Sequence, residues 1–250
     1  MLDPREDLMT SAIEALPADV AGADTLEIMS AAPRYAAWQV EVLRPWLGRR
    51  ILEIGSGIGN ISSEIRALNP ETLVLTDTDP WYLNRLKKTY ASDPAVQFAQ
   101  VTLPDPTAHD RLADLELDTV VAMNVLEHIE DDLGSLRTMA EMVVLGGRVV
   151  LLVPALPALY GTLDTELQHF RRYTRSSLRH LMEAAGLRDI QLKWYNRAGV
   201  PGWWFNARVR KSPRVPIGQL RLFDALVPLL RYEKYLPLPF GQSLIAVGTA

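Results

Sequence analysis

The sequence contains no cysteine and only four histidines among its 250 residues. The absence of cysteine excludes disulfide bonds, a thiolate nucleophile, iron–sulfur clusters and cysteine-ligated zinc. The histidines stand at positions 109, 128, 169 and 180, and no two of them have the spacing by which neighbouring turns of a helix share a metal ion. The sequence therefore predicts no metal site.

Long apolar runs are also missing. No stretch reaches the roughly 18 uninterrupted apolar residues of a membrane-spanning helix. The first twenty residues carry acids where a secretion signal carries bases, so we expect a cytoplasmic protein. With 48% hydrophobic and 22% charged residues, the composition is that of a globular chain with one sizeable core, which excludes disordered and fibrous classes.

The net charge of −4 hides an asymmetry along the chain. Residues 1–164 carry 12 basic and 25 acidic residues, a net charge of −13, whereas residues 165–250 carry 14 and 5, a net charge of +9. A local basic excess attracts anionic ligands or surfaces, although it is also typical of a solvated basic face. The two parts are expected to face different partners.

Apolar runs of strand length alternate with helical patterns. Strands are predicted at 49–54, 72–77, 96–101, 118–124, 147–154, 189–196 and 243–250, and helices at 60–68, 80–91, 131–145 and 174–187. The first five runs are nearly continuous in Val, Ile and Leu, which is typical of a parallel sheet covered on both faces. The pattern predicts a doubly wound α/β fold.

Two segments flank or interrupt this core, which is predicted to span 48–196 and 242–250. Residues 1–47 form an N-terminal helical segment, in which the stretch 31–47 spaces its large apolar residues on one helix face and the first thirty residues are weakly patterned. Residues 197–241 are too long for a simple connection between the last two strands. They are predicted to form a cap insertion.

A glycine loop follows the first strand in the string ILEIGSGIGN. Gly55, Gly57 and Gly59 let the backbone approach a ligand, or serve only tight packing. A dinucleotide fingerprint would require glycine at position 60, where the chain has Asn60, so the spacing disfavours NAD. Asp77 ends the second strand, where a carboxylate can accept hydrogen bonds from both hydroxyls of a ribose, and its register favours it over Asp79.

Four features occur in one order: the glycine motif, Asp77, the string DTVVAMNVLEHIEDD and the string LGGRVVLLVPA. Together they resemble the class I S-adenosylmethionine-dependent methyltransferases of the small-molecule type over residues 49–187. The resemblance implies a Rossmann-like sheet of seven strands with the last one antiparallel, and S-adenosyl-L-methionine as cofactor. The segments 156–174 and 201–248 look like a narrower bacterial subgroup without an assigned substrate.

The resemblance also implies a cofactor site at the ends of the first four strands. Its members would be Glu53, Gly55, Ser56, Gly57, Gly59 and Asn60 around the methionine part, Asp77 and Thr78 at the ribose, Thr102 and Leu103 at the adenine, and Asn124, Val125 and Leu126 at the sulfonium. Thr102 departs from the family, which usually has an aspartate there to accept from the adenine amino group. Apolar contacts and backbone, or else Asp105, would then hold the adenine.

Methyl transfer mainly needs donor and acceptor held in line, but a hydroxyl or ammonium acceptor also needs a base, for which histidine is suited. His169, in the loop after the fifth strand, is the better placed candidate, and His128 is either a second candidate or a residue that only caps or supports. The arginines beside His169 could equally dock an acidic group. Acceptor contacts are expected from Tyr35, Tyr160, Asp164, Arg172, Tyr173 and Trp203.

The segment 197–241 combines eight basic and two acidic residues with seven aromatic ones. This content suits a packed lid, a surface for anionic lipid at the inner membrane face, or stacking on RNA bases, the last being least favoured. Because no magnesium-binding acid set and no (D/N)PPY loop is present, we expect O- or N-methylation of a small or lipid-linked, anionic acceptor. Two rival hypotheses remain, a noncatalytic cofactor-binding or partner-docking protein, favoured by Thr102, and an RNA-modifying methyltransferase.

Overall fold

The computed structural model describes residues 16–211, 216–236 and 238–250. Seven strands form one sheet: β1 (Arg50–Ile54), β2 (Thr72–Asp77), β3 (Val96–Gln100), β4 (Thr119–Met123), β5 (Arg148–Pro154), β6 (Arg188–Tyr195) and β7 (Ser243–Thr249). Their order is β3-β2-β1-β4-β5-β7-β6. The first five strands pair in parallel, and β7 lies antiparallel between β5 and β6.

Helices cover both faces of this sheet. Those in the described residues are α1 (Val20–Met29), α2 (Pro33–Leu43), α3 (Asn60–Arg66), α4 (Pro80–Thr89), α5 (Ala108–Leu112), α6 (Asp132–Glu141), α7 (Thr162–Glu166), α8 (Arg175–Ala184), α9 (Gly199–Trp204) and α10 (Ile217–Leu230). One apolar layer joins the sheet to α6 and α8 through Leu136, Met139 and Met182. The other joins it to α2, α3 and α4 through Trp38, Ile65 and Leu86. The expected doubly wound fold with an antiparallel last strand is confirmed.

The strands begin and end within one residue of the predicted positions. In the centre of the sheet, β4 and β5 are buried along nearly their whole length, which explains their continuous apolar runs. The predicted helix 31–47 is shorter, since α2 ends at Leu43 and a 3-10 turn follows over Arg44–Trp46. Pro45 lies in that turn, where its missing N–H cannot continue an α-helix. Within the predicted N-terminal helical segment, residues 1–15 lie outside the described residues, and α1 lies in the part that is only weakly patterned in sequence.

The segment 197–241 contains α9, a π-turn over Phe205–Arg210, α10 and a 3-10 turn over Arg231–Tyr235. Its two ends meet, because the Gln242 N–H donates to the Asn196 carbonyl at 3.1 Å. The buried carboxylate of Glu233 accepts from the backbone N–H groups of Asn196 and Arg197 at 2.8 and 2.7 Å. Among the described residues, no helix has both the length and the apolar character to cross a membrane.

Candidate active site

The glycine loop joins β1 to α3 at the carboxyl edge of the sheet. Gly55, Gly57 and Gly59 have φ angles of +68°, +53° and +90°, which L side chains rarely adopt. Below the loop, the Glu53 carboxylate accepts from the Ser62 hydroxyl at 2.6 Å. Burial raises the pKa of Glu53 to about 7, against the opposing effect of the Ser62 hydrogen bond. Glu53 therefore braces the loop from inside.

Asp77 connects this loop to the end of β2. Its carboxylate accepts from the backbone N–H groups of Gly57 and Asp79, each at 3.0 Å. Burial raises its pKa, and the backbone hydrogen bonds act in the opposite direction. Asp79, in contrast, caps α4 through the Trp81 N–H at 2.8 Å and accepts from the Ala18 N–H at 2.8 Å. Asp77 is therefore the aspartate whose carboxylate contacts the glycine loop, whereas Asp79 caps α4 and binds the backbone before α1.

Two threonines lie beside each other at the ends of β2 and β3. The Thr78 and Thr102 hydroxyls are 2.7 Å apart, and both residues are exposed. Leu103 is half-buried next to them. The Asp105 carboxylate accepts from the Thr107 N–H at 2.9 Å and pairs with Arg111 of α5. Asp105 is thus engaged away from Thr102, which leaves apolar and backbone contacts as the remaining hypothesis for an adenine ring.

The end of β4 contributes Asn124 and Val125 to the same edge. Asn124 is exposed and has a φ of +53°, a conformation that asparagine tolerates. A Val125 methyl carbon lies 2.6 Å from the point that a Cβ at Gly55 would occupy, so these two residues pack closely. Leu126 is fully buried in the core. Its expected place beside the sulfonium is corrected, because other apolar side chains cover it.

Helix α1 lies against the glycine loop. A Leu26 methyl carbon is 2.8 Å from the position of a Cβ at Gly57, and the Asn60 side-chain amide donates to the Leu26 carbonyl at 3.1 Å. Glu27 pairs with Arg85 of α4 at 2.5 Å. The amide of Asn60, expected at the methionine part of a cofactor, is therefore in contact with α1. Nothing in the weak sequence pattern of 20–29 indicated this contact.

A buried ion cluster underlies the loop after β5. Asp164 is 0% exposed, and its carboxylate accepts from Arg172 Nε at 2.7 Å and from the Gly161 N–H at 3.0 Å. The same carboxylate lies 3.0 Å from His169 Nδ1. Although burial opposes it, the His169 hydrogen bond and the Arg172 charge lower the pKa of Asp164. Asp164 orients the imidazole and the guanidinium together.

His169 faces the turn that follows β4. Its ring meets the His128 ring edge to face, with centroids 4.6 Å apart. Although His128 is exposed as a residue, its ring is packed against His169, and this loss of solvent, followed by the effect of the neighbouring His169, lowers the pKa of His128 to about 4, so the ring is neutral near pH 7. Glu127 lies beside both, and one potential ligand atom from each of the three residues lies within 4.8 Å of the others. The two histidines, 41 positions apart, form one cluster.

Three of the expected acceptor contacts are instead internal. The buried Asp164 and Arg172 are paired with each other, and Arg172 also donates to the Ala155 carbonyl at 3.0 Å. Tyr173 is buried, and its hydroxyl donates to Asp132 at 3.1 Å. Their polar atoms are satisfied within the protein, and acceptor contacts by these three residues stay predictions.

Of the other expected acceptor contacts, Tyr160 and Trp203 lie beside this cluster and Tyr35 lies at the end of β6. Tyr160 donates to the His169 carbonyl at 2.6 Å, and the Trp203 ring covers the Arg172 guanidinium with 4.7 Å between centroid and Cζ. Tyr35 accepts from the Asn196 side-chain amide at 3.3 Å, at the end of β6. All three are half-buried, so their roles in acceptor binding stay predictions.

Glu127 is the member of the site that sequence reasoning missed. It is 1% exposed, and its Oε2 has no hydrogen-bond partner within the described part of the chain. Burial raises its pKa to about 8, and the Arg172 charge only partly offsets this effect. The adjacent Glu and His in the string NVLEHIED were a signal, but the decisive neighbour, His169, is distant in sequence.

Comparisons with known proteins agree with this geometry. A family model described as a methyltransferase domain matches residues 15–192. The fold is similar to that of a chain in a solved complex from Haloferax volcanii, between the Trm112 methyltransferase activator and a methyltransferase. The TM-score is 0.63 and the identity 14%, over 94% of this chain and 99% of that one. No match is found among curated proteins.

Two further solved structures have the same fold. A SAM-dependent methyltransferase from Archaeoglobus fulgidus has a TM-score of 0.56 and 16% identity, over 87% of this chain and 94% of that one. A phosphoethanolamine N-methyltransferase 2 from Haemonchus contortus, in complex with S-adenosyl-L-methionine, has a TM-score of 0.56 and 15% identity, over 84% of this chain and 51% of that one. At these identities the likeness is one of fold.

Proposed function

Because this chain belongs to the methyltransferase-domain family and takes S-adenosylmethionine as its cofactor, we propose that it methylates an oxygen or nitrogen of an anionic, lipid-linked acceptor at a membrane surface. The observation that carries this proposal is an exposed apolar and basic surface on residues 204–211, 216–236 and 238, which we name the cap surface. The assignment to a narrower bacterial subgroup stays a prediction.

The residues at the carboxyl edge fit the cofactor. A side chain at Gly57 would collide with Leu26, and its left-handed backbone keeps the loop open to close approach. Asp77 offers a carboxylate for the ribose hydroxyls, while Thr78 and Thr102 would flank the base. The cofactor supplies an electrophilic methyl group on a positively charged sulfur. The chain must position the acceptor and receive its proton, for which His169, oriented by Asp164, and the neutral ring of His128 are the two candidates.

The cap surface concentrates the apolar exposure of the described residues. Eleven of their sixteen exposed large apolar side chains lie between 204 and 238. These are Trp204, Phe205, Val209, Ile217, Leu222, Leu226, Leu229, Tyr232, Tyr235, Leu236 and Leu238. Scattered apolar residues need no explanation, but so many exposed apolar side chains within one segment are typical of an interaction site.

Helix α10 has apolar residues on two opposite faces. Leu220 and Val227 are buried and pack toward α2, whereas Leu222, Leu226 and Leu229 recur at helical spacing on the exposed face, at 63%, 44% and 68% exposure. Two such stripes exceed what packing on one side requires. The outer stripe is suited to the acyl boundary of a lipid layer.

The charges of the segment favour an anionic surface. Its two acids, Asp224 and Glu233, are buried and accept backbone hydrogen bonds. Five basic residues of the segment are exposed: Arg208, Arg210, Lys211, Arg221 and Lys234. Outward-facing charge on the described part of the segment is therefore positive, which matches the negative potential of anionic lipids. The outer leucine stripe of α10 has no ring to stack on bases and suits acyl chains, so we favour lipid over RNA.

Vesicle binding tests the proposal. Co-sedimentation with phosphatidylglycerol vesicles should exceed that with phosphatidylcholine vesicles and should fall at least tenfold as salt is raised, because screening shortens the reach of charge to about 10 Å at 0.1 M. Replacing Leu222, Leu226 and Leu229 together by Ser should weaken binding about 100-fold, at about 1 kcal/mol for each partly inserted leucine.

The matched control is Leu145→Ser, since Leu145 is 90% exposed but lies in the turn before β5. It should leave vesicle binding unchanged, and all variants should retain S-adenosylmethionine binding. Equally negligible binding to both vesicle types would reject the membrane surface. Co-purifying nucleic acid, seen as absorbance at 260 nm, would favour the RNA hypothesis instead.

A further inference from the structure

We propose that Glu127, His128 and His169 bind one divalent transition-metal ion, and that this ion anchors the acceptor oxygen. The sequence predicts no metal site, since no two of its histidines have the spacing of ligands on one helix. The fold instead brings the turn after β4 and the loop after β5 together, and the three candidate ligand atoms lie within 4.8 Å of one another. Small side-chain rotations bring such a set to the spacing of metal ligands at about 2.1 Å from an ion.

The orientation of His169 supports this assignment. Its Nδ1 faces the Asp164 carboxylate at 3.0 Å, which leaves Nε2 for a ligand. An imidazole that donates to a buried carboxylate through one nitrogen and binds a metal through the other is the usual arrangement at protein metal sites. Asp164 is itself held by Arg172 and the Gly161 N–H, so the ring has little freedom to turn.

Glu127 provides an independent observation. It is 1% exposed, and its Oε2 has no hydrogen-bond partner within the described residues. A buried carboxylate oxygen without a partner is costly, and coordination of a cation is one way to satisfy it. The Glu127 carboxylate belongs to the same set as the two imidazoles, whose rings are 4.6 Å apart.

The donor set limits the metal. Two imidazole nitrogens and one carboxylate oxygen, without sulfur, suit Zn²⁺, Mn²⁺, Fe²⁺ or Co²⁺ rather than Ca²⁺ or Mg²⁺, which prefer oxygen ligands alone. Three protein ligands leave positions open for a further ligand. His128 is the exposed member of the three, which leaves a route to the site from solvent.

The role of the ion rests on the proposed methyl transfer, whereas its binding does not. An acceptor hydroxyl bound to the ion loses its proton to water at a lower pH than a free hydroxyl. Its oxygen then forms a bond to the methyl carbon, the S–C bond breaks, and the electron pair of that bond stays on sulfur as a neutral thioether. With the ion bound, no imidazole is needed as base.

Metal titration tests the site without any methyl acceptor. Metal-free protein without a histidine tag is titrated with Co²⁺, followed by visible absorption, and with Zn²⁺ by calorimetry. We expect one ion per chain and displacement of Co²⁺ by Zn²⁺. Glu127→Gln, His128→Asn and His169→Ala should each weaken binding at least tenfold, and His180→Asn is the matched control, because His180 is exposed on α8 and should not matter.

Folding and function are separated in this design. Thermal unfolding identifies a variant that does not fold, and His128→Asn, with its exposed position, keeps the test decisive if the buried variants fail. The proposal is overturned if wild-type protein binds no ion, or if His128→Asn binds as tightly as His180→Asn. Vesicle binding of the cap surface is measured separately, so failure of the membrane proposal would leave the metal result intact.

Discussion

Replacement of Asp77 by Asn separates cofactor recognition from loop stability. The Asp77 carboxylate now accepts from two backbone N–H groups, those of Gly57 and Asp79, at 3.0 Å each. An amide side chain keeps one acceptor oxygen but presents an NH₂ group in place of the other. One N–H therefore loses its partner, which should lower the free energy of unfolding by about 1–3 kcal/mol.

The same substitution should also weaken cofactor binding, for a separate reason. A neutral amide cannot accept charge-assisted hydrogen bonds from two ribose hydroxyls, and the loss of about 1.5–3 kcal/mol corresponds to a Kd raised roughly 10- to 150-fold. Calorimetric titration with S-adenosylmethionine and S-adenosylhomocysteine measures this change, and thermal unfolding followed by circular dichroism measures the change in stability.

Asp79→Asn is the matched control. Asparagine caps helices as well as aspartate does, so the hydrogen bond from the Trp81 N–H is kept, and the same unit of charge is removed two residues away. Its cofactor affinity should change less than threefold, about 0.6 kcal/mol. An unchanged Kd for Asp77→Asn, or an equal loss in both variants, would refute the ribose assignment.

Two further changes test buried carboxylates through urea unfolding. The pKa of Glu53 is about 7 in the folded protein and 4.5 in an ordinary glutamate, so the folded state binds the carboxyl proton more tightly than the unfolded state does. The stabilisation that follows is present below pH 4.5 and is lost as the pH rises to 7. The unfolding free energy of wild type relative to Glu53→Gln should therefore fall across that window, by at most about 1.4 kcal/mol per pH unit, and a flat difference would contradict the burial argument. Asp164→Asn should cost about 3–5 kcal/mol, because it leaves the buried Arg172 without its anion. Glu116→Gln is the control, since it breaks an exposed ion pair with Arg50 and should lower the free energy of unfolding by less than about 1 kcal/mol. A similar loss of stability in Asp164→Asn and Glu116→Gln would contradict the role of Asp164 as the buried partner of Arg172.

The sheet could be predicted from the sequence because each of its first five strands is a local apolar run. The glycine loop, Asp77 and Asn124 were also identifiable, since each directly follows a strand and so must lie at one edge of the sheet. Helix α1 was not, because its sequence VAGADTLEIM has no clear apolar stripe, and its position depends on contacts with the glycine loop and α4.

Side-chain partners were the less predictable part of the site. Asp164, Arg172 and Tyr173 were chosen as acceptor contacts because they are polar and lie in the loop after β5, but they hydrogen-bond within the protein. The meeting of Glu127 with His169 arises from a turn and a loop 42 positions apart, and no local spacing encodes it. Composition indicated the aromatic and basic character of residues 197–241, whereas only the fold separates the covered Trp203 from the exposed Trp204.

Because its two ends lie next to each other, the segment 197–241 could be inserted, removed or exchanged in evolution without disturbing the sheet. Tyr195 and Ser243 are paired residues of adjacent strands, so a short turn could join β6 to β7 with the strand register unchanged. Loop-closure entropy sets little limit on its length, at about 0.6 kcal/mol for each doubling. The constraint lies elsewhere, because Asp224 accepts from the Tyr35 N–H and Arg231 pairs with Glu41, both on α2. If this segment were exchanged between related enzymes, the residues of α2 that contact it would have to change as well. Acceptor choice and the sequence of α2 are therefore expected to diversify together.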